Sequence, residues 1–201
     1  MRRRLVLLLC LIAAVSMVVD HLLADHLPEK LLAHGKPEVT LAGINLQTTT
    51  LDQVLQKYGP PTKTVNAPNN PDWTGYLWQK GDLRLEVEAS HSKGKVYLDR
   101  ISIVRTGAAA SASSDSESTG GGLRLGDGLD ALKRIYGTRF QLSRQQTVPP
   151  DTEPFLSVPG SRTATVQWTP IDFTLTAGLD QQGHIVAMRL NLPECYPGGC
   201  Q

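Results

Sequence analysis

The sequence carries almost no net charge, little cysteine, and none of the short motifs that mark a reactive centre. Its 20 Lys and Arg face 19 Asp and Glu, for a formal net charge of +1. Removal of Arg2, Arg3 and Arg4 together with Asp20 would take the body to −1. A body this close to neutral offers no electrostatic footprint for nucleic acid or an anionic lipid surface. There is no Gly-X-Ser-X-Gly, no phosphate loop and no dinucleotide fingerprint. The glycine-rich run GGGLRLG (120–126) follows a linker, so it lacks the preceding strand that a phosphate cradle needs. The histidines, His21, His26, His34, His91 and His184, show no pair at metal-ligand spacing on an expected helix or strand. His26 and His34, eight apart in a spacer, would at most hold stray metal weakly. No catalytic residue, cofactor or metal site is therefore expected.

What is present begins with a leader. Met1 to Ala24 has three arginines followed by LVLLLCLIAAVSMVV, a positive region and an apolar stretch of signal-peptide length. Cleavage could follow Ala14-Val15-Ser16 or Leu22-Leu23-Ala24. The alternative is an uncleaved anchor, with Leu5–Val19 extended by Leu22, Leu23 and Ala24 toward the ~20 residues that span a bilayer. Either way the body is exported, periplasmic or extracellular, and touches membrane only through residues 5–24 if the leader stays. Residues 25–37 read as a mobile spacer, because Gly35 and Pro37 stop any helix there.

One pattern then occurs twice. Residues 43–59 (GINLQTTTLDQVLQKYG) and 122–137 (GLRLGDGLDALKRIYG) each give apolar alternation, a polar turn and a short amphipathic helix ending in Tyr-Gly. A constant offset of 78 positions relates Leu51 to Leu129, Val54 to Leu132 and Tyr58 to Tyr136. WQKGDLRLEV (78–87) and WTPIDFTLTA (168–177) continue the match, pairing Trp78 with Trp168 and Asp82 with Asp172. Order kept across several blocks predicts two copies of one unit.

In the first copy Thr50 and Gln53 form a capping box, and Leu51, Val54, Leu55 and Tyr58 make one apolar stripe ended by Gly59 and Pro60-Pro61. Residues 62–75 read as a polar, turn-rich loop. Strands are expected over 76–79, 83–89 and 96–104, with hairpin turns at Lys80-Gly81-Asp82 and Ser92-Lys93-Gly94. The middle one sets Leu83, Leu85, Val87 and Ala89 on a buried face and Arg84, Glu86 and Glu88 on a wet one. In the second copy Asp127 is the expected helix cap, and strands follow over 163–168, 173–179 and 185–192. The proline-rich stretch 148–160 is a rigid excursion or a binding edge.

The predicted fold class is thus α+β: two tandem repeats, each a short helix packed on an antiparallel β-meander. The first module spans 38–105, a Ser/Gly/Ala-rich linker 106–121, and the second module 122–201. Cys195 and Cys200, in CYPGGC, are an even pair in an exported body and are expected to close a small disulfide loop. Asp82 and Asp172 are expected to bond turn backbone rather than to form a paired-carboxylate site. Trp78 and Trp168 should be core. Trp73, in the polar loop, and Tyr76 beside it are the candidate partner-binding residues.

The doubled Leu-Asp-x-Val/Leu helix, closing on Tyr-Gly and followed by Trp and a meander, resembles the small outer-membrane assembly lipoproteins of the SmpA/OmlA type. It is similar also to the tandem β-lactamase-inhibitor protein fold. The likeness covers residues 39–104 and 122–192; Cys10 is no convincing equivalent of the lipoproteins' acylated cysteine. The resemblance implies a helix on an antiparallel sheet used for protein–protein contact, and carries no binding residue over. The function expected is that of a non-catalytic cell-envelope protein that binds another envelope protein. A small-ligand or cell-wall binder and an unrecognised envelope hydrolase are the alternatives.

Overall fold

The computed structural model describes residues 32–67, 70–107, 117–148, 158–168 and 173–192. The leader, most of the spacer, and Cys195 and Cys200 lie outside them. Among the described residues no helix is long and apolar enough to cross a membrane.

A two-residue pair, β1 (Thr40–Leu41) and β2 (Ile44–Asn45), precedes α1 (Leu51–Tyr58). Four strands follow: β3 (Lys63–Ala67), β4 (Asn70–Lys80), β5 (Leu83–Ser92) and β6 (Lys95–Arg105). After α2 (Leu129–Tyr136) come β7 (Gln141–Val148), β8 (Gly160–Gln167), β9 (Thr174–Leu179) and β10 (Ile185–Asn191). The eight longer strands form one antiparallel sheet in the order β3-β4-β5-β6-β10-β9-β8-β7.

This sheet corrects the predicted fold class. The described chain is mostly β, and it does not divide into two modules, each with its own meander. The strands β6 and β10 pair directly, with Ile103 opposite Met188 and Ile101 opposite Leu190. All four side chains are fully buried. Left apart, each strand would present an apolar edge with unpaired backbone groups, so joining them removes two edges at once. Both expected meanders also omitted a strand. KTVNA and QLSRQQTV (β3, β7) are the sheet's two edges, and Lys63, Thr64, Asn66, Gln141, Leu142 and Arg144 on them are exposed, so these strands carry no strict apolar alternation.

Both helices lie on one face. Tyr58 of α1 meets Trp78 at 6.1 Å between ring centroids, and Tyr136 of α2 meets Trp168 edge-on at 5.6 Å. Cross-strand registers put Trp78, Leu85, Ile103, Met188, Ala177 and Ala164 in one row of that face. Tyr76, Val87, Ile101, Leu190, Leu175 and Val166 form the next. Trp78 and Trp168 are buried, and Trp78 Nε1 donates to Gly59 O at 2.9 Å, which fixes the end of α1 to β4.

The capping box of α1 is present: Gln53 N–H donates to Thr50 Oγ1 at 3.3 Å and Thr50 N–H to Gln53 Oε1 at 2.9 Å. Asp127 does not cap α2; the N-cap is Gly128, with no side-chain bond. Asp127 Oδ2 instead accepts from Arg124 N–H at 2.9 Å, closing the turn before the helix.

The ends of the expected linker and spacer are anchored. Arg105 pairs with Glu117, Ser118 O accepts from Ala42 N–H at 2.9 Å, and Thr119 is buried. Ala33 is buried as well, and its N–H donates to Gln167 O at 2.7 Å.

Candidate binding face

Alternation along each strand sends every second side chain to the face turned away from both helices. On β5 these are Arg84, Glu86 and Glu88, which the sequence presents as a wet face. They are buried instead, Glu86 to 2% exposure. Registers bring Ser102 and Arg189 beside Glu86, and Arg100 and Asn191 beside Glu88. Side chains from β6 and β10 thus stand on one side of β5's carboxylates and Trp73 of β4 on the other, and charge is retained under cover because it is paired.

Arg84 Nε and Glu86 Oε1 meet at 2.8 Å, an ion pair rather than an aligned hydrogen bond. A row of bonded side chains crosses the sheet next to them. Trp73 Nε1 donates to Glu88 Oε2 at 3.0 Å. Arg100 Nη1 donates to both Glu88 oxygens, at 2.8 and 2.9 Å, and Arg100 Nε to Asn191 Oδ1 at 2.6 Å. Asn191 Nδ2 donates to Thr174 Oγ1 at 2.9 Å. The row therefore runs over β4, β5, β6, β10 and β9, and the Arg100–Asn191 bond spans the junction of the two halves. Arg189 Nε donates to Ser102 Oγ at 2.9 Å across the same junction. Burial, with the charge of Arg100 adding to it, lowers the pKa of Arg189, against the opposing pull of Glu86 and Glu88.

The structure separates the two aromatic candidates. Trp73 lies in β4, opposite Ser90, not in a loop, and its half-buried indole stands on the helix-free face. Tyr76, an odd number of residues away on the same strand, points to the helix side, 6.3 Å from Trp78. The pair therefore shares no surface.

Other expected site residues are dispersed. Asp82 takes Thr106 N–H on its backbone carbonyl at 2.7 Å, and its carboxylate is 3.9 Å from Arg105. Asp172 is outside the described residues. His91 approaches Thr74 Oγ1 at 3.4 Å, and His184 bonds Asp180 within a hairpin turn. His34 is exposed. Ser102 adjoins the buried Glu86, but its hydroxyl is held by a guanidinium, a donor that cannot act as a base. Among the described residues no three His, Cys, Asp or Glu side chains gather as a metal site.

Sequence reasoning missed Arg84, Glu86, Glu88, Arg100, Ser102, Arg189 and Asn191 as a group. A trace was legible: DRISIV and AMRLN each set an arginine next to apolar residues on an expected strand. Nothing local says that these two strands are neighbours.

No family model matches the chain. No curated protein matches it either. Among solved structures, the chain is similar to a DUF4309 family protein (YjgB) from Bacillus subtilis, at 15% identity and a TM-score of 0.38, over 84% of this chain and 88% of that one.

Proposed function

We propose that the chain is a non-catalytic, exported protein of the cell envelope that binds a partner protein through the helix-free face of its sheet. The observation that carries this reading is the bonded row from Trp73 to Thr174. Tryptophan and arginine are the residue types that dominate binding hot spots, and here each is held in place by a buried glutamate while staying partly open to solvent. The sequence of the leader supports export, and a near-neutral body supports a protein over a nucleic-acid partner.

The test is a pull-down from envelope extract with the intact chain and its Trp73→Ala variant. Photocrosslinking from position 65 or 77, which share Trp73's face, would follow. A stoichiometric protein that crosslinks there, rebinds when purified and is lost in Trp73→Ala supports the reading. Retention unaffected by Trp73→Ala and without crosslinks on this face rejects it.

The same row favours one second reading. Planar hydrogen-bonding side chains beside an indole also suit a cell-wall or small-ligand binder. A melting shift with such a ligand, lost in Trp73→Ala and with no protein retained, would put that reading first.

A further inference from the structure

Arg100 has a free edge on this face. An arginine carries five N–H donors. Nε is taken by Asn191, and Nη1 by the two oxygens of Glu88. Among the described residues nothing accepts from Nη2, and the side chain is 34% exposed. The rest of the fork is fixed, so these donors are held without further loss of side-chain freedom. The indole of Trp73, on β4, donates to the same Glu88 from its other side.

A donor-only edge selects an acceptor, and a cationic nitrogen bonds a charged oxygen such as a carboxylate's most strongly. The surrounding charge agrees. Glu88, the carboxylate nearest Arg100, already accepts from Arg100 Nη1 with both oxygens and from the Trp73 indole. The next carboxylate, Asp99, accepts from Ser90 Oγ at 3.1 Å. Burial first, and then the charge of Arg100, lowers the pKa of Arg189 against the pull of Glu86 and Glu88, so an anion at Arg100 would act in the same direction as those glutamates. The row crosses five strands, ~19 Å at the usual strand spacing, which is the scale of a protein contact more than of a small molecule.

We propose that Arg100, through Nη2 and across Glu88 from Trp73, seats a carboxylate from an acidic segment of the partner protein. This rests on the partner-protein reading above.

The test uses an acetylated hexaglutamate peptide, a hexaglutamine peptide and free glutarate, with the nitrogen-15 NMR signals of Arg100 Nε and the Trp73 indole as readout. Hexaglutamate is expected to shift both signals, and to bind at least tenfold more weakly in an Arg100→Gln/Glu88→Gln double variant. That variant removes both charges together, so Glu88 is not stranded, and an unchanged melting temperature shows that it folds. Equal binding of hexaglutamine, or binding unchanged in the double variant, overturns the proposal. Glutarate matching hexaglutamate overturns it in favour of a small-molecule carboxylate site. If the peptide fails while a Trp73-dependent partner is still retained, the carboxylate inference falls alone. If the peptide binds and no protein is retained, the partner reading falls instead, taking the protein source of the carboxylate with it.

Discussion

Arg84 and Glu86, two residues apart on β5, form an ion pair at 2.8 Å on the sheet face that carries no helix, with side-chain exposures of 7% and 2%. Desolvating two charges offsets most of their attraction, so the pair contributes little net stability. Removing one partner is another matter, because the survivor keeps its burial and loses its counter-charge. Glu86→Ala is expected to cost about 3–5 kcal/mol in urea unfolding, whereas Arg84→Met with Glu86→Leu should be near neutral or stabilising. A double variant as unstable as the single one would contradict this account.

Gly178 on β9 lies against the backbone of Pro159. A Cβ at Gly178 would come within 1.8 Å of Pro159 O and 2.9 Å of Val158 Cγ1. The residues entering β8 thus fold over the helix-free face at a place where only hydrogen fits. Gly178→Ala is expected to destabilise by about 2–4 kcal/mol, the range of overpacking with backbone displacement, measured as a fall in melting temperature. Gly94→Ala is the control, because its Cβ would meet nothing within 4 Å. It has a positive φ of 73°, so a cost of about 1 kcal/mol from backbone strain alone is expected there.

Local structure was legible in the sequence where one strand or one turn decides it. The capping box of α1 and the burial of Trp78 and Trp168 depend on spacing within a few residues. Asp127 was misassigned because the same side chain that could cap α2 closes a turn onto Arg124, and both uses satisfy a backbone donor. β3 and β7 were hidden because edge strands need no apolar period. The binding face was hidden for a further reason. Arg84, Glu86 and Glu88 alternate with leucine and valine as solvated residues do, and what sets them apart is the bonded row that runs from Trp73 on β4 across the β6–β10 junction. That junction joins segments about 90 residues apart, and periodicity says nothing of such pairing.

Thr50 tests the part that was legible. Thr50→Ala removes one half of the reciprocal cap of α1 and is expected to cost about 1 kcal/mol. Asp127→Ala should leave the helical circular dichroism of α2 unchanged while loosening the turn at Arg124, seen as faster amide exchange there.

Tyr58 gives the fold an alkaline limit. Its hydroxyl donates to Ala42 O, and burial pushes its pKa up to about 12. Between pH 10 and 12 the unfolded chain gives up this proton and the folded chain keeps it. Stability from the neutral phenol is therefore complete below pH 10 and lost as pH rises toward 12. Tyr58→Phe should lower stability at pH 8 by about 1 kcal/mol for the lost hydrogen bond, and flatten the decline above pH 10. An unchanged slope would show that the ionisation arises elsewhere.

Glu38 holds the start of the described chain to α2. Its Oε1 accepts from Val39 and Thr40 N–H at 3.0 and 2.9 Å, and its Oε2 from Gly121 N–H at 2.8 Å and Tyr136 OH at 2.7 Å. Burial pushes the Tyr136 hydroxyl's pKa upward, Glu38 adds to the rise, and Thr119 opposes it, so this hydroxyl stays protonated as a donor. Four donors on one buried carboxylate make it a single fastening, and its bonds should not be additive. Tyr136→Phe is expected to cost about 1–2 kcal/mol, and Glu38→Gln a similar amount, since the amide can keep only part of the donor set. The double variant should cost at least 0.5 kcal/mol less than the two losses together, because contacting residues couple on this scale. Strict additivity in urea unfolding would mean that Glu38 and Tyr136 stabilise the fold separately, and that the segment at Val39 is held by Leu41 and Ile44 packing instead.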